Sequence, residues 1–337
     1  MRILAIRLMG LGDVACIGLP AARLLKQRHP GGLVTLLTYA KGGELLELAT
    51  DLDRVWTLPV EDWPSQWGDL IAPLVKWARR ISEAQFDLIY NFDTWFMPCF
   101  LARMLKDGGL PVRGNYLRYP ARQFAEDVGK GAFPLDVASK PGLYLDSDFP
   151  GMRDFAPDWW SKFPSQGSYP AFYLHHCCGL EGTLDLRVPI AKDEAWRSTL
   201  GSRRVVGLAA EARSTHRSYR RKAALEALLK ERGYAVWSDV GALPFAQALG
   251  RLAASDLLVT VSSAPQWFAR MVGCPVLILP GFLPPQHLAA DAHAPLFLDC
   301  QPCLSDGSCP RGIDFACNDQ DPSQISDAVD GYFTGRG

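Results

Sequence analysis

The chain opens with RILAIRLMGLGDVACIGLPAARLLKQRHP, residues 2–30, and this stretch decides the fold. Residues 2–8 form a short apolar run, which predicts a buried parallel strand. Apolar residues then recur at helical spacing from Val14 until His29 and Pro30 end the helix. A second apolar run, residues 33–37, completes a strand-helix-strand unit. The opening therefore predicts an α/β protein with an open parallel sheet.

The turn between this strand and helix carries two glycines and an acid, Gly10, Gly12 and Asp13. In an open parallel sheet the turn lies at the carboxyl end of the first strand, where such sheets bind ligands. The glycine pair alone is weak evidence for a dinucleotide site, because Ala15 stands where that fingerprint has its third glycine. The acid after the second glycine is the more specific feature.

These residues resemble a known family. Residues 2–7 and 11–14, followed by Leu19-Pro20-Ala21, are similar to the opening of the bacterial heptosyltransferases of glycosyltransferase family nine. The resemblance implies the GT-B fold, with two facing Rossmann-like domains and parallel sheets. It also implies transfer of heptose from ADP-heptose to a lipopolysaccharide core or a protein, with Asp13 as the catalytic base. The alternative for Asp13 is an ordinary helix N-cap.

Length and composition agree with a two-domain protein. A chain of 337 residues exceeds the usual size of one hydrophobic core. We predict an acceptor-binding domain over residues 1–185, a linker over 186–203, and a nucleotide-sugar domain over 204–337. The net charge of −1 gives no general attraction to nucleic acid or to an anionic membrane. Without a signal peptide or a long apolar run, we expect a cytoplasmic protein, at most peripheral at the inner membrane.

The second domain opens with an apolar strand, residues 204–210, and a basic loop before the next helix. In the resembled family this loop holds the diphosphate of the donor, which makes Arg213, Ser214 and Arg217 the candidate contacts. The planar fork of arginine binds phosphate oxygens in pairs. The basic residues could instead form a nucleic-acid patch. Against that, the net charge is near neutral and phosphate sites are built where a strand meets a helix.

A second strand-turn-helix segment, residues 256–279, is similar to another landmark of the family but departs from it. The family has Asp-Ser/Thr-Gly before the helix and a histidine within it, whereas this chain has Ser262, Ser263 and Ala264, with Trp267 at the histidine position. The missing acid normally contacts the transferred sugar, which leaves the identity of the donor open. Small residues at a helix N-terminus still suit phosphate. We therefore predict these three residues and Gly12 as nucleotide-sugar contacts.

Acceptor contacts are predicted at the end of another buried strand, residues 86–93. Asn91 and Asp93 lie at its acid-bearing end, and the resembled family has a similar strand. The resemblance therefore implies that these two residues contact the acceptor, which is expected to be a glycan, a lipid-linked saccharide or a protein. Residues 108–170 show little periodicity and are predicted to form a long binding or disordered loop.

Four cysteines lie within a short segment near the end, at Cys300, Cys303, Cys309 and Cys317. Four thiolates can surround one tetrahedral zinc or iron ion, and such a site is structural because it leaves no open position. Many members of the resembled family carry a comparable arrangement. The alternative is that these thiols are free.

Together these features predict an inverting glycosyltransferase that needs no catalytic metal and uses a nucleotide sugar, with ADP-heptose favoured. One alternative is a glycosyltransferase with another donor, acting on modified DNA or a different acceptor. A second alternative is a binding or scaffold subunit without activity, because the acid expected at Ser262 is missing.

Overall fold

The computed structural model describes residues 1–62, 69, 71–156, 158–212, 214–279, 281 and 309–335. The chain divides into two compact units. Unit 1 comprises Met1–Ala156 and Tyr173–Asp185, and unit 2 comprises Pro157–Phe172 and Leu186–Gly337. Residues 157–172 group with unit 2, although the predicted first domain included them. Residues 186–203, predicted as a linker, also group with unit 2 and contain a short helix, Glu194–Thr199.

Unit 1 contains a six-stranded sheet in the order β3-β2-β1-β4-β5-β6, where the strands are β1 Arg2–Ile6, β2 Leu33–Tyr39, β3 Arg54–Leu58, β4 Leu88–Asn91, β5 Val112–Leu117 and β6 Leu145–Ser147. Strands β1 to β5 are parallel, and β6 pairs with β5 in the antiparallel direction. Strand β1 lies between β2 and β4, and its residues from Ile3 to Ile6 are fully buried. This burial on both faces explains the continuous apolar run.

The helices of unit 1 connect these strands. They are α1 Leu11–Asp13, α2 Leu19–Arg28, α3 Ala40–Leu46, α4 Ile71–Glu83, α5 Phe96–Asp107, α6 Ala121–Gly129 and α7 Pro141–Tyr144. A π-helical turn, Val14–Gly18, joins α1 to α2, and all five of its residues are buried. The first predicted helix is therefore one continuous helical segment with a widened turn directly after Asp13.

The prediction of an irregular segment over residues 108–170 is wrong, because this part of the chain contains β5, α6, α7 and β6. The apolar face of the short helix α6 packs into the core of unit 1, and aromatic rings extend this packing. The Phe124 ring on α6 lies 4.6 Å from Phe100, 4.9 Å from Phe133 and 5.1 Å from Phe96, measured between ring centroids. Edge-on aromatic pairs of this kind stabilise such a segment.

In the described part of unit 2, four strands form a parallel sheet in the order β10-β9-β7-β8, with β7 Val205–Ala209, β8 Ala235–Trp237, β9 Leu257–Thr260 and β10 Val276–Ile278. Its helices are α8 Trp159–Lys162, α9 Tyr169–Ala171, α10 Glu194–Thr199, α11 Lys222–Glu231, α12 Phe245–Ala253, α13 Ala264–Val272 and α14 Pro322–Thr334. Leu225 and Leu229 of α11 pack with Ile325 and Val329 of α14 in the core of this unit. Among the described residues, no helix has the length and apolar character that crossing a membrane requires.

Candidate functional site

The turn after β1 presents Asp13 at the carboxyl edge of the sheet of unit 1. Gly10 adopts a positive φ of 78° and precedes α1, and its carbonyl accepts a hydrogen bond of 2.8 Å from the Val14 amide. Gly12 and Asp13 lie within the first helical turn. The Asp13 side chain makes no capping hydrogen bond. Asp13 is therefore not the N-cap of this helix, and its carboxylate has another partner.

That partner is Arg7, whose side chain is buried at the end of β1. One guanidinium nitrogen, Nη2, lies 2.7 Å from Asp13 Oδ2, and the other, Nη1, donates to the carbonyl oxygen of Phe92 at 2.8 Å. The Arg7 side chain is 2% exposed, whereas that of Asp13 is 30% exposed. The carboxylate thus reaches solvent while its cation does not. A charge-assisted contact of this kind fixes both the position and the direction of the carboxylate.

Asp93 lies beneath this turn and is fully buried. Its Oδ2 accepts hydrogen bonds from the amides of Leu8 (2.8 Å) and Met9 (2.9 Å), and its Oδ1 accepts one from Trp95 (3.2 Å). Arg7 Nη1 lies 3.8 Å from Oδ1. Burial raises the pKa of Asp93, and the Arg7 charge and the three amides offset part of that rise. Asp93 therefore binds the strand ends of β1 and β4 together.

Asn91 continues this buried network. Its side chain accepts a hydrogen bond from the Asp93 amide (3.1 Å) and donates to the Asn115 carbonyl (2.8 Å). Asn115 in turn donates to the Asp93 carbonyl and to the Tyr173 hydroxyl. Asn91 and Asp93 are both inaccessible in this structure, and their contacts serve the scaffold of the turn. Direct contact of either residue with an acceptor stays a prediction.

Gly10 leaves the space that the Asp13 carboxylate occupies, because a Cβ added at Gly10 would lie 2.5 Å from Asp13 Oδ2. We expect Gly10→Ala to displace the carboxylate and lower turnover by about ten-fold, since small misplacements of reacting groups slow reactions strongly. Gly31→Ala is the matched control: its φ is also 78°, and nothing lies within 4 Å of the added Cβ. Both variants should lose a similar stability, on the order of 1–2 kcal/mol, for a side chain at positive φ. Steady-state kinetics and urea unfolding of both variants test this, and equal activity in the two would contradict it.

In unit 2, the loop after β7 is held by its own hydroxyl side chains. Ser214 Oγ accepts from the His216 amide at 3.3 Å, and Ser218 Oγ accepts from the Ala212 amide at 3.0 Å. Arg217 is half-buried within this turn, and its amide donates to the Ser214 carbonyl at 3.0 Å. Arg213, the other predicted arginine of the loop, lies outside the described residues. From Ser214 to Ser218 the loop therefore forms a hydrogen-bonded turn between a strand and a helix, where phosphate sites are built.

An open depression of about 750 Å³ adjoins this loop and has both acidic and basic walls, formed by Glu211, Ala212, Ser218, Tyr219, Arg220, Lys222, Ala223 and Glu226. Lys222 pairs with Glu211 at 3.2 Å, Arg220 with Asp314 at 2.9 Å, and the neighbouring Arg221 with Asp319 at 2.7 Å. These ion pairs neutralise much of the positive charge in the basic loop. They make an extended nucleic-acid patch a poor description of this surface.

The second turn places Ser262, Ser263 and Ala264 at the N-terminus of α13. Ser263 is the N-cap residue, but its hydroxyl makes no capping bond and instead lies 3.4 Å from the Val261 carbonyl. The positive end of the helix is therefore not neutralised by this side chain, and an anion can bind there. Trp267, at the position of the family's histidine, is 6% exposed and part of the core.

Two of the four predicted metal-binding cysteines, Cys300 and Cys303, lie outside the described residues. Cys309 is partly exposed and Cys317 is buried, and no disulfide joins them. The amide of Phe315, assisted by those of residues 311–313, lowers the pKa of the Cys309 thiol. Within the described part of the chain, no group of three or more His, Cys, Asp or Glu side chains is arranged to hold a metal ion.

Arg7 and Trp95 were missed as functional candidates, although both carry a signal in the sequence. Arg7 is a charged residue that follows directly on a buried apolar strand, which requires a buried partner. Trp95 comes two residues after the acid that ends β4, and 51% of its surface is exposed at the carboxyl edge of the sheet. An exposed indole at this edge offers a flat apolar face to a ligand.

No protein-family model matches the sequence, and a comparison with curated proteins gives no match. Solved structures are similar over the whole chain. A family 9 glycosyl transferase from Veillonella parvula gives a TM-score of 0.65 at 15% identity, covering 99% of this chain and 97% of that one. The Escherichia coli ADP-heptose lipopolysaccharide heptosyltransferase II gives 0.58 at 16% identity, covering 99% of each chain.

The iron-containing dodecameric glycosyltransferase TibC from enterotoxigenic E. coli gives a TM-score of 0.58 at 13% identity, covering 100% of this chain and 77% of that one. At sequence identities this low, the similarity shows the fold and does not show the activity. The predicted α/β class with two Rossmann-like units of the GT-B type is confirmed. The resemblance predicted from the opening residues is confirmed at the level of architecture: this chain has the fold of the family 9 glycosyltransferase and heptosyltransferase structures.

Proposed function

We propose that this protein is an inverting glycosyltransferase that moves a sugar, with heptose favoured, from a nucleotide-sugar donor to a hydroxyl group of an acceptor. The observation that carries the proposal is the Asp13 carboxylate, which is accessible to solvent yet held at 2.7 Å by the buried Arg7 guanidinium. A carboxylate fixed in this way at the carboxyl edge of a parallel sheet suits a general base.

In the proposed reaction Asp13 takes the proton of the acceptor hydroxyl while that oxygen attacks the anomeric carbon of the donor. A new bond forms between the acceptor oxygen and the anomeric carbon, and the bond from that carbon to the diphosphate oxygen breaks. The electron pair of the broken bond leaves with the nucleoside diphosphate. Attack from the face opposite the leaving group inverts the configuration of the sugar.

The proposed donor contacts are in unit 2. Arg217 and the undescribed Arg213 would bind the diphosphate oxygens, with help from Ser214, and the N-terminus of α13 at Ser262, Ser263 and Ala264 would neutralise remaining charge. Together these groups would stabilise the leaving diphosphate without a metal ion. The proposed metal independence is tested by turnover measured with and without EDTA.

The acceptor is proposed to bind at the edge of unit 1 that carries Asp13, with Gly12 in the adjacent turn. Exposed Trp95 would stack on a sugar ring there, which favours a glycan or a lipid-linked saccharide over a bare protein surface. The heptose donor is supported by the similar heptosyltransferase II, which is named for ADP-heptose. The residue pattern at Ser262 still admits another nucleotide sugar.

A thermal-shift panel of nucleotides and nucleotide sugars separates the candidate functions. A ligand at 100 times its dissociation constant should add roughly 2.7 kcal/mol to the free energy of unfolding. We expect ADP and ADP-heptose to stabilise the protein. We also expect NMR spectra of the product to show that the sugar was transferred with inverted anomeric configuration. Binding without transfer to any saccharide acceptor would favour a scaffold subunit. No binding of any nucleotide would overturn the proposal.

We also propose a structural zinc or iron ion at Cys300, Cys303, Cys309 and Cys317. The amides that lower the pKa of Cys309 would equally stabilise a metal-bound thiolate. The similar TibC glycosyltransferase is described as iron-containing.

For the cysteine segment, protein purified without an affinity-tag metal should contain about one equivalent of zinc or iron, because four thiolates complete one tetrahedral site. Cys303→Ser should then lower the melting temperature while leaving turnover per folded molecule close to wild type. Elemental analysis and differential scanning calorimetry provide the measurements. Metal-free protein under reducing conditions, with an unchanged melting temperature in the variant, would show that the thiols are not ligands.

A further inference from the structure

Arg7 is the largest of the fully buried side chains, and it is charged. We propose that Arg7 is a positioning residue that aims the Asp13 carboxylate, and that Asp93 is a permanent counter-ion that allows Asp13 to change its charge. The proposal rests on the proposed function, because it assumes that Asp13 accepts a proton.

The guanidinium binds three groups on two neighbouring strand ends. Nη2 contacts Asp13 Oδ2 at 2.7 Å, Nη1 donates to the Phe92 carbonyl at 2.8 Å, and Nη1 also lies 3.8 Å from Asp93 Oδ1. Because the guanidinium is planar and rigid, fixing one nitrogen on Phe92 fixes the direction of the other. Arg7 therefore presents a single geometry to Asp13.

The surroundings of Arg7 leave it little freedom to move. Gly18, at the end of the π-helical turn, lies directly against it: a Cβ added there would be 3.4 Å from Arg7 Cβ. The Phe92 carbonyl that holds Nη1 also accepts a hydrogen bond of 2.8 Å from the Tyr173 hydroxyl. The cation is thus clamped between the helix and the end of β4, whereas Asp13 is open to solvent on its far side.

The charge balance of the cluster gives Asp93 its role. When the acceptor O–H bond breaks and its proton moves to Asp13, that carboxylate becomes neutral and no longer balances Arg7. A buried cation without a partner is costly. The polar partners of the Asp93 oxygens are amide N–H groups and the Arg7 cation, all of them donors, so these contacts favour the ionised form of this carboxylate and oppose the rise in its pKa that burial causes. Arg7 therefore keeps one negative partner before and after the transfer.

The ionisable and charged groups around this pair come from several elements. Cys16 of the π-helical turn interacts with both Arg7 and Asp13, Cys99 of α5 with Arg7 and Asp93, and Cys178 with Arg7. Burial raises the pKa of each of these thiols. They stay neutral during the reaction and leave the two carboxylates as the negative partners of Arg7 in this cluster.

The kinetic test uses Arg7→Lys, which keeps the positive charge but has one ammonium in place of the fork. We expect the kcat of Arg7→Lys to fall about ten-fold, with both KM values within about two-fold of wild type, because aim rather than binding is lost. In the Asp13→Asn background the same change should cost nothing further. Arg23→Lys is the control, since Arg23 also holds a carboxylate, that of Asp51, through Nε and Nη2 in the same unit.

A ten-fold loss from Arg7→Lys in both backgrounds would show that Arg7 supports only the fold and would overturn the proposal. An unchanged kcat in Arg7→Lys would overturn it as well. A loss of the same size in Arg23→Lys would mean that the fall is a general response of unit 1.

A second measurement does not depend on activity and stands even if no transfer is found. In crystals of the Arg7→Met/Asp93→Asn variant, which removes both buried charges together, the Asp13 carboxylate should leave its place beside Gly10 or occupy two rotamers. An Asp13 carboxylate unmoved in that variant would overturn the positioning role. If the carboxylate is displaced in this variant but the wild-type protein transfers no sugar, the proposed function alone is rejected.

Discussion

Asp13→Asn is expected to lower turnover by about 10²- to 10⁴-fold, the range that a general base typically supplies. Asparagine has nearly the same shape but cannot accept the proton of the acceptor hydroxyl. Donor affinity should stay close to wild type, because the predicted diphosphate contacts are Arg213, Arg217 and the start of α13. Steady-state kinetics with titration calorimetry of the donor measure the two effects separately.

The melting temperature provides the control for this variant. The Asp13 side chain is partly exposed, and Asp93 remains beside the buried Arg7 guanidinium when the Asp13 charge is lost, so the variant should lose only about 1–2 kcal/mol of stability. A variant that melts several degrees lower and keeps its turnover per folded molecule would make Asp13 a structural residue. That result would favour the alternative of a binding or scaffold subunit without activity.

Arg217→Ala is expected to weaken binding of the donor nucleotide by roughly ten- to a hundred-fold, because a hydrogen bond to a charged group contributes about 1.5–3 kcal/mol. The residue lies in the ordered turn after β7, where its amide is bonded to Ser214. Isothermal titration with ADP and ADP-heptose gives the affinity of wild type and variant.

Arg221→Ala is the matched control for that prediction. Arg221 is a nearby arginine whose guanidinium pairs with Asp319 at 2.7 Å, and it is not one of the predicted diphosphate contacts. Its removal should leave nucleotide affinity unchanged. Equal affinity in folded Arg217→Ala and wild type would remove Arg217 from the donor site, and equal losses in both variants would indicate only a general effect of positive charge.

The sequence was most informative where the spacing of apolar residues, or a single turn, determines the local structure. The apolar run of β1, the glycine-flanked turn and the helical spacing after Val14 predicted the first strand-helix-strand unit, and the structure contains it. The strands after Arg204 and Asp256 were predicted in the same way. These segments are buried on both faces, so their residue type follows directly from their position in the sheet.

The parts that could not be predicted depend on contacts between residues far apart in the chain. Arg7 and Asp93 are separated by more than eighty residues, and only the pairing of β1 with β4 brings them together. The helix around Phe124 has apolar residues at helical spacing, Ala121, Phe124 and Val128, but it is only nine residues long and its aromatic partners lie elsewhere in the chain. Contact of Asp93 with an acceptor therefore stays a prediction, while the partners that the structure gives its carboxylate are backbone amides and Arg7.

The different contacts of Asp13 and Asp93 have a consequence for how this protein can evolve after gene duplication. Asp93 secures the strand ends, whereas Asp13 contributes little to that framework. A gene duplicate that exchanges Asp13, the proposed base, by one mutation is therefore expected to encode a folded protein that is still open to selection for binding. The reverse mutation would restore a base onto a scaffold already prepared for it. Under the proposed function, an active protein and an inactive paralogue would therefore differ at the turn rather than in the core.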